Sequence, residues 1–162
     1  MLATLVFTDL VDSTTRVAEL GDEGWRQCMA RHDEVIRRHL HRYDGREVKH
    51  TGDGFLMMFD GPARAMRCAT AILRSMPDEI GLDARAGIHT GEVEVVGSDL
   101  RGLAVHVAAR VRALANPHEV LVSNTVKELV LGSGIEFEDR GTYALRGVPD
   151  RWRLYAVSGD SA

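Results

Sequence analysis

Two carboxylates are the residues of this chain best suited to chemistry. Asp9 closes the apolar run Ala3-Thr4-Leu5-Val6-Phe7-Thr8, and Asp53 sits in the turn Gly52-Asp53-Gly54 that leads into Phe55-Leu56-Met57-Met58-Phe59. Acids at the ends of neighbouring strands can lie side by side over a sheet, and so close an acidic pair is most comfortable with hard divalent cations bound between its members. Phosphoryl and nucleotidyl transfer use this arrangement, because two cations roughly 3.5 to 4 Å apart activate an attacking oxygen while stabilising the leaving one. An aspartate beside glycine is also ordinary turn chemistry, so Asp53 alone carries little weight. Asp9 carries more, since an acid at the end of Leu5-Val6-Phe7 is costly to bury unless a cation pairs with it. Directly after it, in Leu10-Val11-Asp12-Ser13-Thr14-Thr15, Asp12 or Ser13 is placed to cap a helix. The free amides at such a helix start bind phosphate oxygens, although most N-caps bind only their own backbone.

The elements that must position these groups alternate between strand and helix. A strand is expected over residues 3 to 9, helices over roughly 13 to 42, and a hairpin of two strands either side of Gly52-Asp53-Gly54. Ala65, Met66, Ala69, Ile72 and Leu73 recur at helical spacing within residues 61 to 76, where Pro62 suits a first turn. Strands over 83 to 89 and 92 to 96 precede a helix from about 103 to 115, ended by Asn116-Pro117. A strand over 119 to 123, a short helix over 124 to 131, and strands near 135 to 146 and 151 to 157 complete the chain. The core order is βαββαβ, a ferredoxin-like α+β arrangement with additions. One domain over residues 1 to 157 is expected, followed by a frayed tail from 158 to 162.

Composition narrows the partners. With 162 residues and 44% hydrophobic content the chain can bury one ordinary core. Its net charge of −4 supplies no basic field for collecting the phosphates of a nucleic-acid polymer. Cys28 and Cys68 lie in helical segments without metal or redox spacing, and read as buried free thiols in a reducing cytoplasm. No apolar run approaches the roughly 18 to 20 residues that span a bilayer, and the first residues lack a signal-peptide pattern, so no direct membrane insertion and a cytoplasmic location are expected.

Four strings in order carry a more specific signal: Phe7-Thr8-Asp9-Leu10-Val11-Asp12-Ser13-Thr14, Val48-Lys49-His50-Thr51-Gly52-Asp53-Gly54-Phe55, Arg85-Ala86-Gly87-Ile88-His89-Thr90-Gly91, and Asp99-Leu100-Arg101-Gly102-Leu103-Ala104-Val105-His106-Val107-Ala108-Ala109-Arg110. Together they resemble the catalytic domain of class III adenylyl and guanylyl cyclases of the bacterial homodimeric type, over about Leu5 to Tyr155. The resemblance implies that Asp9 and Asp53 hold two divalent cations, Mg²⁺ or Mn²⁺, with the Leu10 backbone beside them. The backbone of Leu10, Val11, Asp12, Ser13 and Thr14 would contact the triphosphate, and Arg85 would bind phosphate oxygens. Lys49 and Asp99 would read the purine. Adenine offers an acceptor at N1 and a donor at its amine, which an ammonium and a carboxylate complement, whereas guanine presents the opposite pattern. The pair therefore argues for ATP over GTP, and guanylyl cyclases of the family usually carry an acid where Lys49 stands.

Arg110 matches the arginine that stabilises charge on the reacting phosphate. Arg146, anchored only by Gly147, aligns with a late basic residue that reaches the terminal phosphates. His106 departs from the pattern: the family usually has asparagine there to orient ribose and phosphate, and histidine can donate one hydrogen bond in its place or simply pack on the helix. His50 and His89 lie beside motifs but show no ligand spacing and are read as structural. The resemblance implies a homodimer with composite active sites, Asp9, Asp53 and Arg85 on one side and Lys49, Asp99, His106, Arg110 and Arg146 on the other. The segment 112 to 116 and the strands at 135 to 146 are candidates for the interface. The implied reaction is conversion of ATP to 3′,5′-cyclic AMP and pyrophosphate, with cyclisation of GTP or a noncatalytic nucleotide-binding or dimerisation module as alternatives.

Overall fold

The computed structural model describes all 162 residues. Its first six elements are β1 (Leu2–Leu10), α1 (Ser13–Arg42), β2 (Arg46–His50), β3 (Phe55–Phe59), α2 (Pro62–Ile80) and β4 (Ala84–Glu92). They are followed by β5 (Glu94–Val96), β6 (Asp99–Arg101), α3 (Leu103–Leu114), β7 (Val120–Ser123), α4 (Asn124–Leu129), β8 (Ile135–Ala144) and β9 (Arg151–Asp160). The main sheet has the order β2-β3-β1-β4-β7-β9-β8, and its first four strands form the expected ferredoxin-like βαββαβ core. All its pairings are antiparallel except β4 with β7. The short β5-β6 ribbon, expected only in its first half, stands apart.

Strand β1 is central and covered on both faces, which is why its apolar run is nearly continuous. Because side chains alternate, Val6 and Leu10 enter the larger core beneath α1 and α2, whereas Ala3, Leu5 and Phe7 enter the smaller core beneath α3. Asp9 shares the parity of Leu5 and Phe7 and so emerges on the α3 side. In the larger core Val35, Ile36, Phe55 and Ile72 are fully buried, and truncation of such a side chain to alanine costs about 2–5 kcal/mol.

Helix α1 is two helices joined at Gly21, whose φ of 73° and ψ of 176° break the helical path. The last strand is longer than expected. Residues 158 to 160, placed in a frayed tail by the sequence, continue β9: Glu136 pairs with Gly159 and Ile135 with Asp160. Arg67 also donates to Asp160 at 2.9 Å, and the Ser161 amide donates to the Gly134 carbonyl at 2.9 Å. These long-range partners, distant in sequence, hold the end of the chain against α2 and β8. Of the two cysteines, Cys68 is buried and its thiol is pushed up to about 12 by desolvation, while Cys28 is only half-buried.

Candidate active site

Asp9 lies opposite Arg85 in the antiparallel β1-β4 register. Arg85 grips it as a fork, Nε donating to Oδ1 at 2.7 Å and Nη2 to Oδ2 at 3.1 Å, while Nη1 donates to the Ala113 and Ala115 carbonyls at 3.1 and 3.4 Å. The hydrogen bonds to Asp9 hold the guanidinium above its ordinary pKa, against the opposing effect of burial. Arg112, which no sequence pattern marks, brings a second guanidinium to the same acid: its Nε stands 3.5 Å from Asp9 Oδ2. The Arg112 side chain is stacked over Phe7, 5.5 Å from the ring centre, and its buried Nε makes no hydrogen bond. Its position depends on Gly87, because a Cβ there would come within 2.1 Å of the Arg112 backbone nitrogen. Thus α3 rests directly on β4.

The turn carrying Asp53 is pressed onto the end of β1. A Cβ on Gly54 would lie 1.7 Å from the Thr8 carbonyl oxygen and 2.9 Å from Asp9 Cα, so only glycine allows the approach. The Phe55 amide also donates to Thr8 Oγ1 at 3.2 Å. The half-buried Asp53 side chain makes no hydrogen bond or ion pair with any other group. One free carboxylate beside another already drawing two guanidinium groups is a hard-oxygen donor set, and it fits divalent cations of the magnesium or manganese type. Asp9 and Asp53 would hold them, with the Leu10 backbone adjacent; the Leu10 side chain itself is buried in the core.

At the start of α1 the Val11 amide is already spent, donating to the Asp83 carbonyl at 2.8 Å. Asp12 is the N-cap, in the left-handed region at φ 60°, but its side chain makes no capping bond. The free amides are therefore those from Asp12 through Ser13 and Thr14 to Thr15, since the first bond back into the helix is Arg16 N–H to the Asp12 carbonyl, at 3.2 Å.

Lys49, at the end of β2, and Asp99, at the start of β6, meet: Nζ lies 3.1 Å from each carboxylate oxygen. Asp99 also accepts the Leu100 amide at 2.7 Å, and this bond, followed by Lys49, draws its carboxyl below the usual range. Arg110 and His106 share one face of α3 a turn apart, opposite the buried Ala104, Val107, Ala108 and Val111. Arg110 Nε donates to the Arg146 carbonyl at 3.2 Å, which ties α3 to the loop after β8. His106 and Arg146 are exposed, so packing does not account for the histidine. The structure thus brings together Asp9 and Arg85, Lys49 and Asp99, and Arg110 and Arg146, with no hydrogen bond or ion pair joining one group to the next. A cavity of about 400 Å³ lies elsewhere, between α2 and the β9 end, and contains none of them.

The histidines beside the motifs divide. His89 is buried, its Nδ1 2.7 Å from Ser123 Oγ and its ring edge-on to Trp152, as a structural residue should be. His50 is not isolated: it joins His32 and Asp33 in a cluster that its sequence neighbours could not reveal.

A ferredoxin-like α+β sheet, extended by β7 to β9 and bearing an acid pair at the end of β1, defines a nucleotidyl cyclase domain. The model of the adenylate and guanylate cyclase catalytic domain matches residues 2–159, and the chain belongs to this class III family. It is 36% identical to putative adenylate cyclase 3 of Rhizobium meliloti over 128 residues, 74% of this chain and 22% of that protein. It is 31% identical to an adenylate cyclase of Lachancea kluyveri over 150 residues, 74% of this chain and 8% of that one. The chain therefore covers less than a quarter of the length of these curated relatives. Its fold matches the adenylyl cyclase CyaB from P. aeruginosa with a TM-score of 0.89 at 20% identity, covering 98% of this chain and 94% of that one. The same score, at 16% identity with 99% and 97% covered, relates it to the guanylate cyclase domain of RhGC from Catenaria anguillulae in complex with GTP. No helix is long and apolar enough to cross a membrane.

Proposed function

We propose that this domain is an adenylate cyclase that converts ATP to 3′,5′-cyclic AMP and pyrophosphate at sites shared between two copies of the chain. The observation that carries the reading is the packing of the Gly52-Asp53-Gly54 turn against the end of β1, which brings the backbone beside Asp53 onto that of Asp9. When bound there, two Mg²⁺ or Mn²⁺ ions supply activation of the ribose 3′-hydroxyl and neutralise charge on the triphosphate. The free amides of Asp12, Ser13 and Thr14 receive phosphate oxygens. Arg85, whose Nη2 lies on Asp9 in the free chain, turns part of its fork to the nucleotide. Attack on the α-phosphate runs in line, Arg110 stabilises the charge that develops there, Arg146 receives the terminal phosphates and His106 donates to the ribose or the reacting phosphate.

Lys49 and Asp99 support ATP as substrate. Hydrogen-bonded to each other at 3.1 Å, they set a donor beside an acceptor, the complement of the adenine N1 and amine edge, and each is exposed enough to open onto a base. The last turn of α3 and the edge strand β8 supply the surface on which a second copy completes the site. The test is incubation of the purified protein with ATP or GTP and Mn²⁺ or Mg²⁺, with Asp9→Ala and Asp53→Ala as controls. Cyclic AMP formation lost in both variants and weak with GTP supports the reading. A preference for GTP overturns the base assignment, and undiminished turnover in both variants overturns the cation assignment.

A further inference from the structure

We propose that His32, Asp33 and His50 form a second cation site, separate from the acid pair, that takes one zinc ion and fastens the β2 end to the middle of α1. Two imidazoles converge on a single carboxylate oxygen: His32 Nδ1 is 2.8 Å and His50 Nε2 3.1 Å from Asp33 Oδ1. The three ligating atoms all lie within 4.8 Å of one another. Around a tetrahedral zinc with Zn–N and Zn–O distances of about 2.0–2.2 Å, ligand atoms stand roughly 3.3 Å apart. The cluster reaches that spacing by opening its two hydrogen bonds a few tenths of an ångström and by drawing together the two imidazole nitrogens, which lie within 4.8 Å of each other. Two nitrogens with one carboxylate is a donor set suited to zinc, unlike the oxygen-only set at Asp9 and Asp53.

The rings are preorganised. His32 is 1% exposed on the buried face of α1, and Phe55 packs against both imidazoles, with ring centres 5.8 Å from His32 and 4.8 Å from His50. Arg37, a cation stacked over the same Phe55 ring at 5.4 Å, is neutralised by Glu47 at 2.8 Å. Asp33 and His50 keep 23% and 37% of their side-chain surface, which leaves an entry path and an open fourth position. The site lies one residue from Lys49 and three from Asp53, so an ion there fixes the hairpin that carries both.

The experiment uses the Asp9→Asn/Asp53→Asn double variant as parent, so that cations at the acid pair do not contribute and cyclase activity is not required. Metal-free protein is titrated with Zn²⁺ against a chromophoric chelator of known affinity, and Co²⁺ is added separately to read the visible spectrum of a four-coordinate ion. One equivalent of zinc is expected, with Asp33→Asn and His50→Gln each weakening binding at least tenfold while melting cooperatively. Both residues are partly exposed, which keeps these variants folded. Absence of zinc uptake by the parent, or affinity unchanged in both variants, would overturn the site.

Discussion

Replacing Asp9 by alanine tests the geometry before any turnover is measured. The substitution removes the acceptor of two charge-assisted hydrogen bonds from Arg85, at 2.7 and 3.1 Å, and the counter-ion of Arg112 at 3.5 Å. Hydrogen bonds to charged groups contribute about 1.5–3 kcal/mol where desolvation is complete. Here the side chains of Arg85 and Arg112 remain 28% and 23% exposed, and Arg85 keeps the Ala113 and Ala115 carbonyls, so solvent and those bonds recover part of the loss. A destabilisation of about 2 kcal/mol is expected, a fall in Tm of about 4–8 °C for a domain of this size. Asp9→Asn keeps the shape and one acceptor oxygen, and about half that fall is expected. The assay is thermal unfolding by circular dichroism in excess chelator, where bound cations cannot add stability. Asp9→Ala melting at or above the wild-type temperature would refute the claim that Asp9 holds the two guanidinium groups in the free chain, since removal of a merely frustrated acid raises Tm.

Gly54→Ala forces a Cβ to within 1.7 Å of the Thr8 carbonyl, so the Asp53 turn must leave β1; cyclase activity should fall at least a hundredfold with a Tm loss of several degrees, and retention of both would contradict the packing. Arg110→Ala should lower kcat by about 10²–10³ with KM for ATP changing far less, a split read by steady-state kinetics; a change confined to KM would make Arg110 a binding residue. His89 is held to about 4, below its ordinary 6.5, by burial. The unfolded chain therefore binds more protons than the folded one between these values, and His89 contributes stability above pH 6.5 that is lost as pH falls toward 4, up to about 3 kcal/mol. Urea titrations across that range should show the loss, and a His89→Gln variant whose stability keeps the full pH dependence would show that the effect arises elsewhere.

The two acids, the Lys49 and Asp99 pair and most elements were legible in the chain itself. Nearly continuous apolar runs gave β1 and β3, helical spacing gave α2, and the Gly52-Asp53-Gly54 turn gave the hairpin, because each signal is local and set by the side chains of one segment. The ordered motifs gave the family for the same reason: they keep chemistry-bearing residues at fixed distances along the sequence. What the sequence hid were partners joined through space. Arg112 meets Asp9 only because Gly87 lets α3 lie flat on β4, and His50 meets His32 and Asp33 only because β2 folds back along α1. Residues 158 to 160 looked like a tail because Arg67 and the Gly134 turn, which hold them, lie far upstream. The sequence alone determined which groups are available for chemistry. Tertiary structure decided which of them touch, since a contact between distant residues depends on register and on the close approach of backbones, and neither is encoded in any single segment.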